Sequence, residues 1–197
     1  MASEAASHVP ENPEPAEIEV VLDGERKRLT YEQAFQLGCL LLKADNRADA
    51  AKLFACMEEF TDRGPRAFIM QAFCEAAAMR FENCGEALEE AFPGEKEIAT
   101  KLQNAFVSYH VGIRKDGVNA LIELANEHTD LPTICLLLGD MLEKMNREKM
   151  SRKCWSLAVE RDREGGAVAN VATLRLKKAL QRQAAEKTVP PPNQASA

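Results

Sequence analysis

The sequence predicts an all-α fold built from tandem helix pairs, with a short β-hairpin ahead of them and one capping helix behind. Three observations predict it. Apolar residues recur at helical spacing from Thr30 to about residue 162, and turn signals interrupt them at short intervals. Aromatic residues are only 6% of the 197, and Ala is abundant, which favours helices packed through small side chains over aromatic-rich strands. Small residues also return at an interval close to the length of one helix pair.

Residues 1–16 are Pro, Glu, Ala and Ser with little to bury, so they read as a disordered tail. The last segment, 188–197, reads the same way, with Pro190-Pro191-Pro192 forming a stiff polyproline spacer. Residues 17–30 contain Asp23-Gly24 between two five-residue runs. That dipeptide favours a two-residue hairpin turn, because both positions tolerate positive φ. The register would set Leu22 opposite Glu25, Glu19 opposite Arg28 and Ile18 opposite Leu29. An isolated hairpin is marginal in water, so this one must pack on the helices that follow.

At Thr30 the period changes. Thr30 with Gln33 forms a capping box, and Phe35, Gly38, Leu41 and Leu42 continue at helical spacing. Asp45-Asn46 interrupts before a helix over Arg47–Phe60. Further helices are expected over Pro65–Met79, Cys84–Phe92, Lys96–Ile113, Gly117–Glu127, Leu131–Met145 and Arg147–Glu160. The body of paired helices therefore spans 31–162. A last helix lies within 163–187, with Val168, Ala172, Leu176, Ala179 and Leu180 on an apolar face and Arg175, Lys178 and Arg182 on a polar one. It suits a terminal cap, apolar inward and polar outward.

Aligning the pairs gives a pattern. The first helix of each carries a small residue near its middle, at Gly38, Ala72, Ser108 and Gly139, spaced 34, 36 and 31 apart. The second carries a small residue early, at Ala50, Cys84, Ala120 and Ser151. Four residues on, it has a large one, at Phe54, Leu88, Leu124 and Trp155. Small side chains let the two helices approach, and the large one fills the gap against the next unit. Leu37-Gly38 with Ala50 and Phe54, Leu138-Gly139 with Leu142, Trp155 and Ala158, and Pro132 between units resemble the tetratricopeptide repeat, a helix-turn-helix unit of about 34 residues. The resemblance covers 31–162 and implies a right-handed α-solenoid of about four repeats. In the second and third repeats Gln71-Ala72 and Val107-Ser108 replace the Leu-Gly pair.

Little in the sequence points to catalysis. The net charge of −6 argues against a nucleic-acid binder. Residues 1–17 hold four Glu and no Lys or Arg, whereas 166–197 hold five Lys/Arg and one Glu, which reads as two solvated ends of opposite sign. No apolar run is long enough for a membrane span, and the N-terminus has no signal-peptide pattern, so a cytoplasmic protein is expected. Cys39, Cys56, Cys74, Cys84, Cys135 and Cys154 form no C-x-x-C pair and read as small hydrophobes. His8, His110 and His128 belong to no metal motif, and no phosphate loop or nucleophile elbow occurs. No catalytic, cofactor-binding or metal-binding residue is assigned, and no cofactor.

Binding is the function that remains. The resemblance implies a concave groove lined by Phe35, Cys39 and Leu42 in the first repeat and Ile69, Phe73 and Ala76 in the second. In the third it implies Ala105 and Tyr109, and in the fourth Leu136, Asp140 and Glu143. These residues make an apolar and aromatic groove in place of the Lys/Asn clamp that some repeats of this family use for acidic tails. The expected partner is a peptide or amphipathic helix of another protein, with Phe73 and Tyr109 partly exposed to meet it. Size, acidity and repeat number also look like the small chaperones of type III secretion. A thiol-dependent enzyme or accessory subunit is the alternative of a different class. Nothing in the sequence sets the oligomeric state.

Overall fold

The computed structural model describes residues 16–22, 24–60, 64–162 and 166–188. Asp23, the polyproline stretch and all of the N-terminal tail except Ala16 lie outside them. Among the described residues two strands, β1 (Glu17–Leu22) and β2 (Glu25–Thr30), precede nine α-helices. The helices are α1 (Tyr31–Lys43), α2 (Arg47–Cys56), α3 (Arg66–Ala77), α4 (Phe81–Ala91) and α5 (Lys96–His110). They continue as α6 (Arg114–Glu127), α7 (Pro132–Lys144), α8 (Glu148–Arg161) and α9 (Ala167–Thr188). A 3-10 turn, Met57–Glu59, replaces the last expected turn of α2.

The strands pair antiparallel in the register set by the Asp-Gly spacing, with Leu22 opposite Glu25, Glu19 opposite Arg28 and Ile18 opposite Leu29. Alternation turns Ile18 and Val20 inward, onto the first helix pair. Thr30 then starts α1 with the reciprocal capping box. The Gln33 backbone N–H donates to Thr30 Oγ1 at 3.3 Å, and the Thr30 N–H donates to Gln33 Oε1 at 3.0 Å. Tyr31 carries the hairpin into the core, edge-on to Phe60 at 5.5 Å.

The connections α1–α2, α3–α4, α5–α6 and α7–α8 share one geometry. Each has three residues, and the middle one is left-handed: Asp45 (φ 65°), Met79 (φ 62°), Gly112 (φ 105°) and Asn146 (φ 59°). In each, the third residue's N–H donates back to a carbonyl five residues earlier: Asn46 to Leu41, Arg80 to Glu75, Ile113 to Ser108 and Arg147 to Leu142, all at 2.9 Å. This is the Schellman closure, which satisfies carbonyls a helix end would otherwise leave open. The left-handed residues recur at 34, 33 and 34 residues.

That interval corrects the third pair. Seven residues before each left-handed position stand Gly38, Ala72, Ala105 and Gly139, so Ala105 takes the place expected of Ser108. Likewise Gly117 and Leu121 take the places expected of Ala120 and Leu124. Contact geometry agrees, since a Cβ on Gly117 would lie 2.5 Å from the Ala105 carbonyl oxygen and 2.8 Å from the Tyr109 nitrogen. The large residues also pack differently from expectation. A Cβ on Gly38 would lie 2.5 Å from the tip of Phe54, and one on Gly139 would strike Trp155. Each large side chain thus fills the space above the glycine of its own pair.

Helix α9 departs most from expectation. It packs on α8 but also reaches α7 and α1. Asp162, ahead of it, is buried, accepts the Ala169 N–H at 2.9 Å and pairs with Arg66 of α3 at 2.9 Å. Val168, Val171 and Ala172 enter the core, whereas Leu180 is exposed. Arg175, expected on the polar face, is only 4% exposed.

Two substitutions test this packing. Gly38→Ala should destabilise by about 1–3 kcal/mol, because the Phe54 ring is already held edge-on to Phe35 at 5.7 Å and has nowhere to retreat. A thermal midpoint at or above wild type would show that the contact is looser. Met79→Gly should stabilise by about 1 kcal/mol, since a left-handed backbone strains a residue with a Cβ and Met79 is 56% exposed, with little packing to lose. Chemical denaturation should show a raised midpoint at unchanged slope.

Candidate interaction cleft

The side chains expected to line the groove come together, but most form core. Phe35, Cys39, Leu42, Ile69, Phe73, Ala76, Ala105, Tyr109 and Leu136 are buried, and Asp140 and Glu143 are half-buried. Phe73 and Tyr109, expected to be partly exposed, are each 4% exposed. Phe73 stands edge-on to Phe106 at 5.3 Å, and the Tyr109 hydroxyl donates to the Met141 carbonyl at 3.3 Å. The physical reason is closure. α3 touches α7, and α9 lies against both α1 and α7, so ends far apart in sequence meet over these side chains. In the corrected phase the third pair contributes Leu102 and Phe106 at the positions equivalent to Ile69 and Phe73, both fully buried; the sequence reading missed them.

A cleft of about 220 Å³ remains open. Leu42, Phe73 and Met141 give it an apolar floor, and Lys43, Asp140, Glu143, Lys144 and Arg182 complete it. Its four expected residues, Leu42, Phe73, Asp140 and Glu143, come from α1, α3 and α7. Lys43, Met141, Lys144 and Arg182 were not anticipated. Lys43 and Lys144 sit one residue past Leu42 and Glu143 at matching helix ends, which was a usable signal.

The polar side of the cleft is a network. Arg175 donates through Nε to Asp140 Oδ1 at 3.2 Å and through Nη2 to the Cys39 carbonyl at 3.1 Å. Trp155 Nε1 donates to Asp140 Oδ1 at 3.1 Å. Burial pushes the Asp140 carboxyl up from its ordinary pKa, against the pull of Arg175 and Lys43. Glu143 receives Lys43 at 2.5 Å and also Arg182. Burial works to raise its pKa, but the two cations outweigh that and hold it below the usual range. Lys144 is exposed and makes no ion pair among the described residues.

Next to Phe73 lies His110, ring centroids 4.9 Å apart, with a buried Nε2 that has no hydrogen-bond partner among the described residues. Burial lowers its pKa to about 4, and Arg47, Lys144 and Arg114 push the same way. Five of the six thiols are held away from the thiolate form by burial. Burial pushes Cys74 and Cys84 up to about 12 and Cys154 to about 11, and raises Cys39 and Cys135 as well. Among the described residues no group of three or more His, Cys, Asp or Glu could hold a metal ion. No helix among them is long and apolar enough to cross a membrane.

No family model, curated protein or solved structure matches the chain.

His110 gives the site a pH signature. Its folded pKa of about 4 lies below an unfolded value of about 6.5, so the native state binds fewer protons in between. Stability should be unaffected by this group above pH 6.5 and fall as pH drops towards 4, by about 2–3 kcal/mol in all. Comparing denaturation of wild type and His110→Phe across that window isolates the effect from carboxylates common to both. Parallel curves would exclude a buried neutral His110.

Proposed function

We propose that this protein is a non-catalytic interaction module related in architecture to tetratricopeptide repeats, a right-handed α-solenoid of four helix pairs that binds a segment of another protein. The observation that carries the reading is the cleft between α1, α3, α7 and α9, with an apolar floor, a half-buried carboxylate pair and, at its rim, Lys144, which makes no ion pair among the described residues. The 33- to 34-residue return of the left-handed connector supports the repeat architecture. The raised pKa values of Cys74, Cys84 and Cys154 disfavour thiol chemistry at those residues.

The cleft fits one or two apolar side chains followed by an anionic group, because exposed Lys144 beside the apolar floor makes no ion pair among the described residues. The chain's own last helix lies against α1 and α7 where the cleft opens, so the ligand is a short segment rather than a long helix laid along the groove.

Selection of a displayed peptide library on the full chain tests this. Enriched peptides should lose about tenfold in affinity, roughly 1.4 kcal/mol, on Lys144→Glu and nothing on Lys149→Glu, an exposed control on α8. Equal binding to the Lys144→Glu variant would place the interaction elsewhere.

A further inference from the structure

A second groove lies on the opposite side of α7 from the α9 contacts, where α6 and α8 stand apart. It holds about 200 Å³ and is floored by Cys135, Leu138 and Leu142 of α7. Ile122 and Ala125 form one wall. On α8, Met150, Lys153, Cys154, Leu157 and Arg161 follow at i, i+3, i+4, i+7 and i+11, a single helical stripe. Met150 is 46% exposed and Leu157 39%, although nearby Leu138 is buried. The two helices are tied across the groove by Arg161, whose Nη1 donates to the Ala125 carbonyl at 2.6 Å.

Charge distinguishes this groove from the cleft. Its lining contains Lys153 and Arg161 and no carboxylate, in a chain whose net charge is −6. Lys153 is exposed and makes no ion pair among the described residues. An occupant must therefore offer apolar side chains at helical spacing and a carboxylate beside them. The chain's own acidic helix does not qualify. α4 exposes Glu82, Glu86, Glu89 and Glu90, but its apolar Cys84, Ala87 and Leu88 are buried, so a second copy would bring charge without anchors.

We infer that the α6–α8 groove is a docking site for an acidic amphipathic helix of another protein, seated on Leu138, Met150 and Leu157 and oriented by Lys153. The site shares no residue with the cleft, so the two readings stand or fall separately.

The probe is a capped, labelled helical peptide of about 18 residues with Leu at i, i+3, i+4 and i+7 and Glu flanking them, alongside a twin carrying Lys for Glu. The full chain is titrated by fluorescence anisotropy, with methyl NMR to locate the contact. The acidic peptide should bind saturably and at least about tenfold more tightly than its twin. Methyl shifts should fall on Ile122, Met150 and Leu157. Lys153→Glu should erase the preference for the acidic peptide, and Leu157→Asp should abolish binding with the melting curve kept. Absence of saturable binding, equal affinity for both peptides, unchanged binding to Leu157→Asp, or shifts confined to Leu42 and Met141 would each overturn the assignment.

Discussion

Every helix pair depends on a reversal made in three residues, and that reversal requires one residue in the left-handed region. The Schellman bond at 2.9 Å fixes where the first helix stops and where the second begins. Once that is fixed, the residues seven before and five after the left-handed position fall where the two helices come closest. Gly38 with Ala50, Ala72 with Cys84, Ala105 with Gly117 and Gly139 with Ser151 are therefore all small. The aromatic or leucine that follows fills the remaining space, as Phe54 and Trp155 do above their glycines. The connector sets the phase, and the packing follows from it.

The second constraint is closure. A linear stack of helix pairs joins each unit only to its neighbours. Here Arg175 links Asp140 of α7 to the backbone of α1, and Glu143 gathers Lys43 from α1 and Arg182 from α9. Arg suits this buried position because its planar fork can serve a carboxylate and a carbonyl together. What this closure leaves uncovered is a cleft in place of an open groove.

Much of the local structure was legible in the sequence. Thr30 and Gln33 announced the first helix, the Asp-Gly pair set the strand register, and Gly38/Phe54 and Gly139/Trp155 fixed the first and fourth pairs. The third pair was misphased by three residues because Ser108 and Ala120 are also small and sit one helical turn from Ala105 and Gly117. Gly112 carried the missing signal, since it occupies the position held elsewhere by Asp45 and Asn146, residues that share its tolerance of positive φ. Met79, at the same position in the second pair, lacks that tolerance and hid the pattern. The burial of Arg175 was not legible at all. Helical periodicity places it on the charged face of α9, and a carboxylate 35 residues earlier together with the Cys39 carbonyl makes burial possible. Most of the residues expected to line a groove are buried instead, because exposure depends on how far the ends close, which spacing does not encode.

Closure also dictates an order of events during synthesis. The hairpin and the first pair emerge early and can form at once, since their contacts are local. Yet the carbonyl of Cys39 and the face of α1 around Leu42 wait for a residue 136 positions further along the chain. Until α9 leaves the ribosome, Phe73 and Leu42 stand at an unfinished edge, beside Asp140 and Glu143 without Arg175 and Arg182. The nascent protein therefore keeps apolar surface uncovered until α9 has been made, and only then can α1 and α7 be closed over.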